Sequence, residues 1–492
     1  MTVNPKKMRP YDEPPKRRRT LIPDGPDSAA VGFLVAAALW FVVAAAIGLL
    51  AIGLRLWSFE ISYPLGLFDL SFEVDQRRVD AGFMNATVFG WLSNAGFAAV
   101  AFMTPRLLGR RLVSETLLNL GLAIWNLALA GGIALLYVFD IGVNGPMTAL
   151  PWFVEGGLAT GALIVTGVFL ATAGVSLRSG YISLWFAAIG LLGLLGLTSL
   201  SSLLGIFDAF FGLNGLPVAL ASTFIERALI AMWLLGMTYA ILYYLVPRAS
   251  GQPLASGGLA LLAWVSWLVL APASALGGLQ DTSVPLFVTT AGAVATMLLI
   301  LPASLAAVNL SMTMQGRWSL LFGTSTAAFA AVAIAFLLAV SLLEAIGALG
   351  AVSIAVGGTD WELGVFLWAA YGAFTMAALA IADHAAPRAL RRSWRPGALS
   401  GAQLWLAFGG VTLAGLALMA GGMAEGALRS QGVAPEAIRE GIFGYVAAGL
   451  VGFGLVALAA LSLLGSLFVA YTSGDPADYA VPGQASTAAA GH

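Results

Sequence analysis

Residues 31–56 read VGFLVAAALWFVVAAAIGLLAIGLRL, a run in which Arg55 is the only charged residue. A helix rises 1.5 Å per residue, so this run can cross a hydrocarbon core of roughly 30 Å. Comparable runs recur along the 492 residues, which are 60% hydrophobic and only 10% charged. Soluble domains contain about 25% charged residues. The sequence therefore predicts an all-α, polytopic membrane protein, because a chain in lipid must satisfy its backbone hydrogen bonds internally.

About twelve transmembrane helices are predicted. Their ranges are 31–56, 82–104, 114–139, 150–175, 181–206, 217–246, 256–276, 286–311, 318–345, 361–384, 400–424 and 441–472. Residues 31–472 are expected to form one membrane domain, between a basic tail at 1–30 and a C-terminal tail at 473–492, both disordered. The longest outer segment, 57–80, is expected to lie along the membrane surface or over the helix ends. No internal repeat is evident.

The basic residues predict the orientation. With an even number of helices, 17 of the 23 Lys and Arg residues fall on the side of the N-terminal tail. Such an excess is typical of cytoplasmic loops. Both termini are therefore predicted to be cytoplasmic, in a bacterial-type inner (plasma) membrane, with the first helix a retained anchor.

Two residue types that support redox chemistry are scarce. The chain has no cysteine, which excludes disulfides, thiolate metal sites, iron–sulfur clusters and a covalently attached c-type heme. Its two histidines are His384, expected at the cytoplasmic interface, and His492, the last residue of the tail. The net charge of −1 gives no indication of nucleic-acid binding, and the surroundings expected are the lipid bilayer.

Four stretches of sequence resemble the catalytic subunit (subunit I) of heme-copper oxidases. They are Phe83-Met84-Asn85-Ala86 in helix 2, Tyr243-Tyr244-Leu245-Val246-Pro247 in helix 6, Met312-Thr313 in helix 8, and Thr359-Asp360-Trp361 before helix 10. Their order and spacing are similar to those of the C-family cytochrome oxidases and, less closely, nitric oxide reductases. The resemblance implies a bundle of twelve helices like that of subunit I.

The same resemblance implies six histidine ligands for two hemes and a copper ion. Carried onto these motifs, the heme-ligand positions are Phe83, Val365 and Leu367, and the copper-ligand positions are Arg227, Gly277 and Gly278. None of these side chains offers a neutral donor to iron or copper. Met84 does not simply replace the ligand lost at Phe83, because neighbouring helical residues point about 100° apart. We therefore expect no metal, no bound cofactor and no catalytic residue.

The volumes of two missing hemes would have to be refilled. Phe83 and the bulky residues Phe366, Trp368 and Tyr371 stand where the family has ligands or small residues. Close packing favours refilling by such side chains. The alternative is that they are ordinary core or lipid-facing residues.

Arg227 is a charge inside a predicted membrane helix, which costs several kcal/mol unless it is paired or hydrated. Glu226 is adjacent and faces a different direction, so a carboxylate of another helix is the better partner. Glu344 in helix 9 resembles a family glutamate near the metal centre. We predict that Arg227 occupies the former copper region and pairs with Glu344, keeping the bundle closed. The alternative is that Arg227 snorkels to the outer interface.

Three functions remain. The favoured one is a non-catalytic, metal-free homologue of cytochrome oxidase subunit I, a structural or assembly subunit of a membrane respiratory or electron-transfer complex. Its candidate partners are other membrane subunits and a membrane-anchored cytochrome c. The second is a transporter or proton-conducting protein that uses Glu226, Arg227, Glu344 and Asp383. The third is a terminal oxidase or nitric oxide reductase, as family similarity alone would suggest.

Overall fold

The computed structural model describes residues 23–57, 60–65, 68–73, 75–138, 145, 147–212, 215–279, 283–395 and 397–476. For 60–65, 68–73 and residues 138, 178 and 179, only the backbone is described. Most of the two predicted tails, with His492, lies outside these residues.

Twelve helices of the described chain are long and apolar enough to cross a membrane. In chain order, α1 to α12 are Ser28–Leu56, Gln76–Leu108, Glu115–Tyr137, Trp152–Leu177, Ile182–Phe211, Leu216–Ser250, Gly257–Leu279, Leu286–Thr313, Ser325–Gly347, Asp360–Leu390, Gly397–Ser430 and Pro435–Ser473. The predicted all-α membrane fold is confirmed, and the chain is an integral membrane protein.

Three helices begin at positions that differ clearly from the predicted ones. The N-terminus of α2 is Gln76 rather than residue 82, because Asp75 caps an additional polar turn. Pro435 at the first position of α12 starts that helix before 441. Conversely, α9 starts at Ser325 rather than 318, since the extended backbone of Thr324 separates it from the short helix Leu320–Gly323.

The segment between α1 and α2 contains a β-hairpin. Strand β1 is Glu60–Leu65 and strand β2 is Phe68–Glu73, and they pair antiparallel with Glu60 opposite Glu73. We call the end of the bundle that carries this hairpin the hairpin end, and the opposite one the tail end. Because twelve helices separate the termini of the membrane domain, α1 begins and α12 finishes at the tail end.

Helices α2, α6 and α10 form the centre of the bundle. Their apolar stretches are 100%, 89% and 94% buried, against 28% for α3 and 33% for α7. The remaining nine of the twelve membrane helices therefore enclose these three and present apolar side chains to lipid.

The three central helices share the same order of local structural features, which the sequence did not predict. Each contains a π-helical segment, at Ala86–Leu92, Leu229–Leu234 and Trp368–Phe374. Each then has a Pro-Arg pair near its C-terminus, at Pro105-Arg106, Pro247-Arg248 and Pro387-Arg388. A residue with positive φ ends each helix, namely Gly109, Gly251 and Arg391. The bundle therefore has a repeated element, although the shared residues are too few and too far apart to be recognised in the sequence.

Candidate functional site

Phe83 of α2 lies in an aromatic cluster at the centre of the bundle. The side chain is 1% exposed, and its ring stacks on Tyr371 of α10 at 6.2 Å between centroids, with the planes 5° apart. Phe366 of α10 and Phe453 of α12 pack edge-on against it at 6.2 and 5.6 Å. We call Phe83, Phe366, Tyr371 and Phe453 the aromatic cluster.

The backbone of helix α1 packs directly against the aromatic cluster at Gly48. A Cβ atom added at Gly48 would lie 2.4 Å from the ring of Phe453 and 2.6 Å from that of Phe83. Real Cβ atoms do not approach other atoms so closely, so only glycine lets α1 lie against both rings. The rings and this helix backbone thus fill the space beside the Phe83 position.

Hydrogen bonds join α2 to α10 beside the aromatic cluster. The hydroxyl of Thr87 in α2 lies 2.7 Å from that of Tyr371 in α10. The indole of Trp91 donates to the hydroxyl of Thr375 at 2.8 Å. These buried polar groups are paired with each other. The other two predicted heme positions, Val365 and Leu367, are buried at 6% and 0% exposure.

The three predicted copper positions lie together near the hairpin end. The side chain of Arg227 in α6 crosses Gly278 in α7, and a Cβ at Gly278 would lie 2.3 Å from its Cδ and Nε atoms. Gly277 packs against the backbone of Gly292 in α8, where an added Cβ would lie 3.1 Å from the carbonyl. The two glycines therefore make room for a guanidinium side chain and for a neighbouring helix.

Arg227 and Glu344 are brought together by α6 and α9. The distance between Arg227 Nη1 and Glu344 Oε2 is 3.8 Å, with side-chain exposures of 41% and 31%. Glu344 is in the last turn of α9, close to the hairpin end. Such a long, half-exposed ion pair contributes roughly 1 kcal/mol or less in water. Arg227 thus lies within ion-pairing distance of a carboxylate on another helix.

Glu226 points away from Arg227. Its Oε1 accepts a hydrogen bond of 3.0 Å from the backbone N–H of Met147, in the segment that precedes α4. This contact could not be predicted from the sequence, because it joins a helix to a loop 79 residues away.

Asp383, another residue of the predicted transport group, lies in the tail-end half of α10 and is ion-paired with Arg395. At the hairpin end, Arg55 of α1 binds both carboxylate oxygens of Asp80 at 3.0 and 3.1 Å and one of Asp360 at 2.9 Å. Three helices are tied together there. Sequence analysis missed both networks, although a charge at the end of an apolar run is a signal that such partners exist.

His384 lies at the tail end between two other central helices. Its ring packs edge-on against Phe102 of α2 at 5.9 Å and Tyr244 of α6 at 6.0 Å. Arg388 donates to its backbone carbonyl. In the described part of the chain, no group of three or more His, Cys, Asp or Glu residues could hold a metal ion.

The residues present do not fit the hemes and copper that the family resemblance implies. Phenylalanine, valine, leucine and glycine have no donor atom, and the guanidinium of Arg227 has no lone pair to offer. The aromatic cluster and the Arg227 side chain also occupy the space next to these positions. No redox step can be assigned to them.

Comparison with known proteins identifies the family to which the chain belongs. The sequence model for cytochrome c and quinol oxidase polypeptide I matches residues 28–447. No curated protein matches the chain. Among solved structures, the chain is similar to a heme-copper terminal oxidase dimer determined by cryo-EM, with a TM-score of 0.70 over 92% of this chain and 85% of that chain. At 13% identity, that similarity shows the fold alone. Because the family match covers most of its length, this chain belongs to the cytochrome c and quinol oxidase polypeptide I family.

Proposed function

We propose that the protein is a metal-free, non-catalytic member of its family and serves as a structural or assembly subunit of a membrane respiratory complex. The observation that carries this proposal is the packing of the ligand positions. Phe83 stacks on Tyr371, and Arg227 lies across Gly278, so the side chains at these positions are part of the packed bundle.

The aromatic cluster supports the proposal because it supplies stability without a cofactor. A buried aromatic side chain removes 150–250 Å² from water or lipid, and ring pairs add about 0.5–1.5 kcal/mol each. A heme beside Phe83 would have to displace these rings and the backbone of α1 at Gly48. Close-packed interiors resist such displacement.

Arg227 supports the proposal electrostatically. A guanidinium is protonated at every ordinary pH and therefore carries a permanent positive charge. Copper would have to bind beside that charge, and two positive charges repel each other. The region around Gly278 thus disfavours a metal cation in addition to lacking donors.

Membership of the family, whose members are subunits of membrane oxidases, supports a role in a complex. We propose other membrane subunits as partners, with a membrane-anchored cytochrome c as a candidate. We also propose a bacterial-type inner membrane with the tail end in the cytoplasm. Arg106, Arg248 and Arg388 at the tail ends of α2, α6 and α10 support this orientation.

The alternative of a transporter is less well supported by the positions of the charges. Glu226, Arg227 and Glu344 lie toward the hairpin end, whereas Asp383 lies at the tail end with Arg395. Helix α10 shows how far apart the two ends are. Glu362 in its first turn and Asp383 near its tail end are about 31 Å apart along the helix, because each residue adds 1.5 Å. The four residues of the predicted transport group, Glu226, Arg227, Glu344 and Asp383, thus lie in two separate places and do not form a line across the membrane.

The visible spectrum of the full chain, purified in mild detergent, tests the absence of cofactors. We expect no Soret band, and no iron or copper in stoichiometric amount by elemental analysis. A Soret band at one heme per chain would overturn the proposal. The Phe83→Ala variant is the control, because it opens space without adding a ligand and should also remain colourless.

Co-purification tests the role in a complex. The chain, affinity-captured from its native membrane in mild detergent, should bring with it other membrane subunits that carry the heme absorbance. Recovery of the chain alone, together with ion flux in proteoliposomes that Glu344→Gln abolishes, would replace the structural role by transport.

A further inference from the structure

One buried carboxyl group lies apart from the Arg227–Glu344 and Asp383–Arg395 ion pairs. Glu155, in the first turn of α4, is only 5% exposed. It lines a small cavity at the hairpin end, with room for about one water molecule. Thr198 and Ser201 of α5 provide the hydroxyl groups of the cavity, and its other walls include Phe89 of α2 and Leu229 of α6. The Ser201 side chain lies next to that of Glu155 in the wall of this cavity.

The charge state of Glu155 follows from two opposing effects. Its position near the N-terminus of α4 favours a negative charge by about 0.3–1 kcal/mol. Burial of an ionised carboxylate without a cation costs several kcal/mol, even after relaxation. The cost of burial is the larger effect, so the neutral acid is the stable form in this position.

The surroundings of Glu155 supply no compensating cation. Helices α2, α3 and α5 pack against α4, and α6 borders the cavity. The charged and titratable groups on these helices at the hairpin end are Arg77, Arg78, Asp80, Tyr137, Asp208, Glu226 and Arg227. Arg77 and Arg78 are in the first turn of α2 and do not line the cavity, and Arg227 pairs with Glu344. Within the described residues, Glu155 forms no ion pair, and the hydroxyl groups that share its cavity are those of Thr198 and Ser201.

We propose that Glu155 is a proton-binding site, a carboxylic acid that holds a single proton beside a water molecule in the adjoining cavity. Water in such a cavity needs two to four polar partners, and the carboxyl group with the hydroxyls of Ser201 and Thr198 provides them. The site is independent of the vacated metal positions, since none of its lining residues belongs to them.

Infrared spectroscopy of the full chain in detergent tests this site, with the spectrum of each variant subtracted from that of the unmodified protein. At neutral pH, the unmodified protein should show the C=O stretch of a protonated carboxyl group, and Glu155→Gln should remove that band. The matched control is Glu226→Gln, the same substitution on α6, which should retain it. Glutamine has the shape and neutrality of the protonated acid, so Glu155→Gln should fold with unchanged helicity by circular dichroism.

A second variant makes the test independent of that substitution. Ser201→Ala removes a hydroxyl group beside the carboxyl group, so the same band should remain but change its frequency. The proposal is overturned if the unmodified protein shows no such band at neutral pH, if the band survives in Glu155→Gln, or if Ser201→Ala leaves its frequency unchanged.

Discussion

The guanidinium of Arg395 is ion-paired with the carboxylate of Asp383, and both side chains are only 2% exposed. Trp394 donates its indole N–H to the same carboxylate at 2.9 Å. Burial lowers the pKa of Arg395, and the Asp383 carboxylate opposes this effect. A guanidinium stays protonated in proteins, so Arg395 carries its positive charge in this buried position. Arg395 also donates to Ser466 of α12, so the pair ties the segment after α10 to the last helix.

Asp383→Asn should lower the free energy of unfolding by about 3–5 kcal/mol, because it leaves the buried charge of Arg395 without its partner. The measurement is thermal or denaturant unfolding in detergent. Asp475→Asn, at an exposed position, serves as the control and should change stability by about 0.5 kcal/mol or less. Equal effects of the two substitutions would show that the ion pair does not stabilise the fold.

Phe83→Ala should lower the free energy of unfolding by about 3–5 kcal/mol, because the aromatic cluster loses a ring in contact with three others. The same substitution at Phe322, which is 96% exposed, should have little effect. A small loss at Phe83 would mean that the cluster is loosely packed, and would weaken the proposal that it replaces a cofactor.

Gly278→Ala should destabilise the protein by about 1–3 kcal/mol, because the new methyl group would overlap Arg227. Arg227→Ala in the same chain should relieve most of that loss, which a double-mutant cycle would detect as coupling. Gly258→Ala, in the same helix α7, is the control, since its nearest neighbour is Ser256 Oγ at 3.8 Å. Additive effects of Gly278→Ala and Arg227→Ala would contradict the packing described.

Double-mutant cycles should rank two ion pairs differently. The Arg55–Asp80 pair has two charge-assisted hydrogen bonds of 3.0 and 3.1 Å, and its coupling energy should be about 1.5–3 kcal/mol. The Arg227–Glu344 pair, at 3.8 Å, should couple by about 1 kcal/mol or less. Stronger coupling of Arg227 to Glu344 would support its predicted role in closing the bundle.

The central aromatic cluster shows how far sequence patterns could predict the site. Phe83 could be placed on α2 and Tyr371 on α10, since both lie in apolar runs of membrane length. Their stacking depends on the π-helical segments, which rotate the helices locally and have no simple sequence signature. Phe453, from the last helix, and Gly48, from the first, could not be connected with them by any local rule.

Sequence alone determined the class of protein and the chemistry that its side chains exclude. Twelve apolar runs require twelve helices in lipid, and the two histidines of the chain are fewer than the six ligands that the family resemblance implies. Only the tertiary structure showed that Arg395 pairs with Asp383 and that Glu155 borders a cavity. The physical reason is that the hydropathy of a run depends on neighbouring residues within one helix. These contacts depend instead on how separate helices pack side by side.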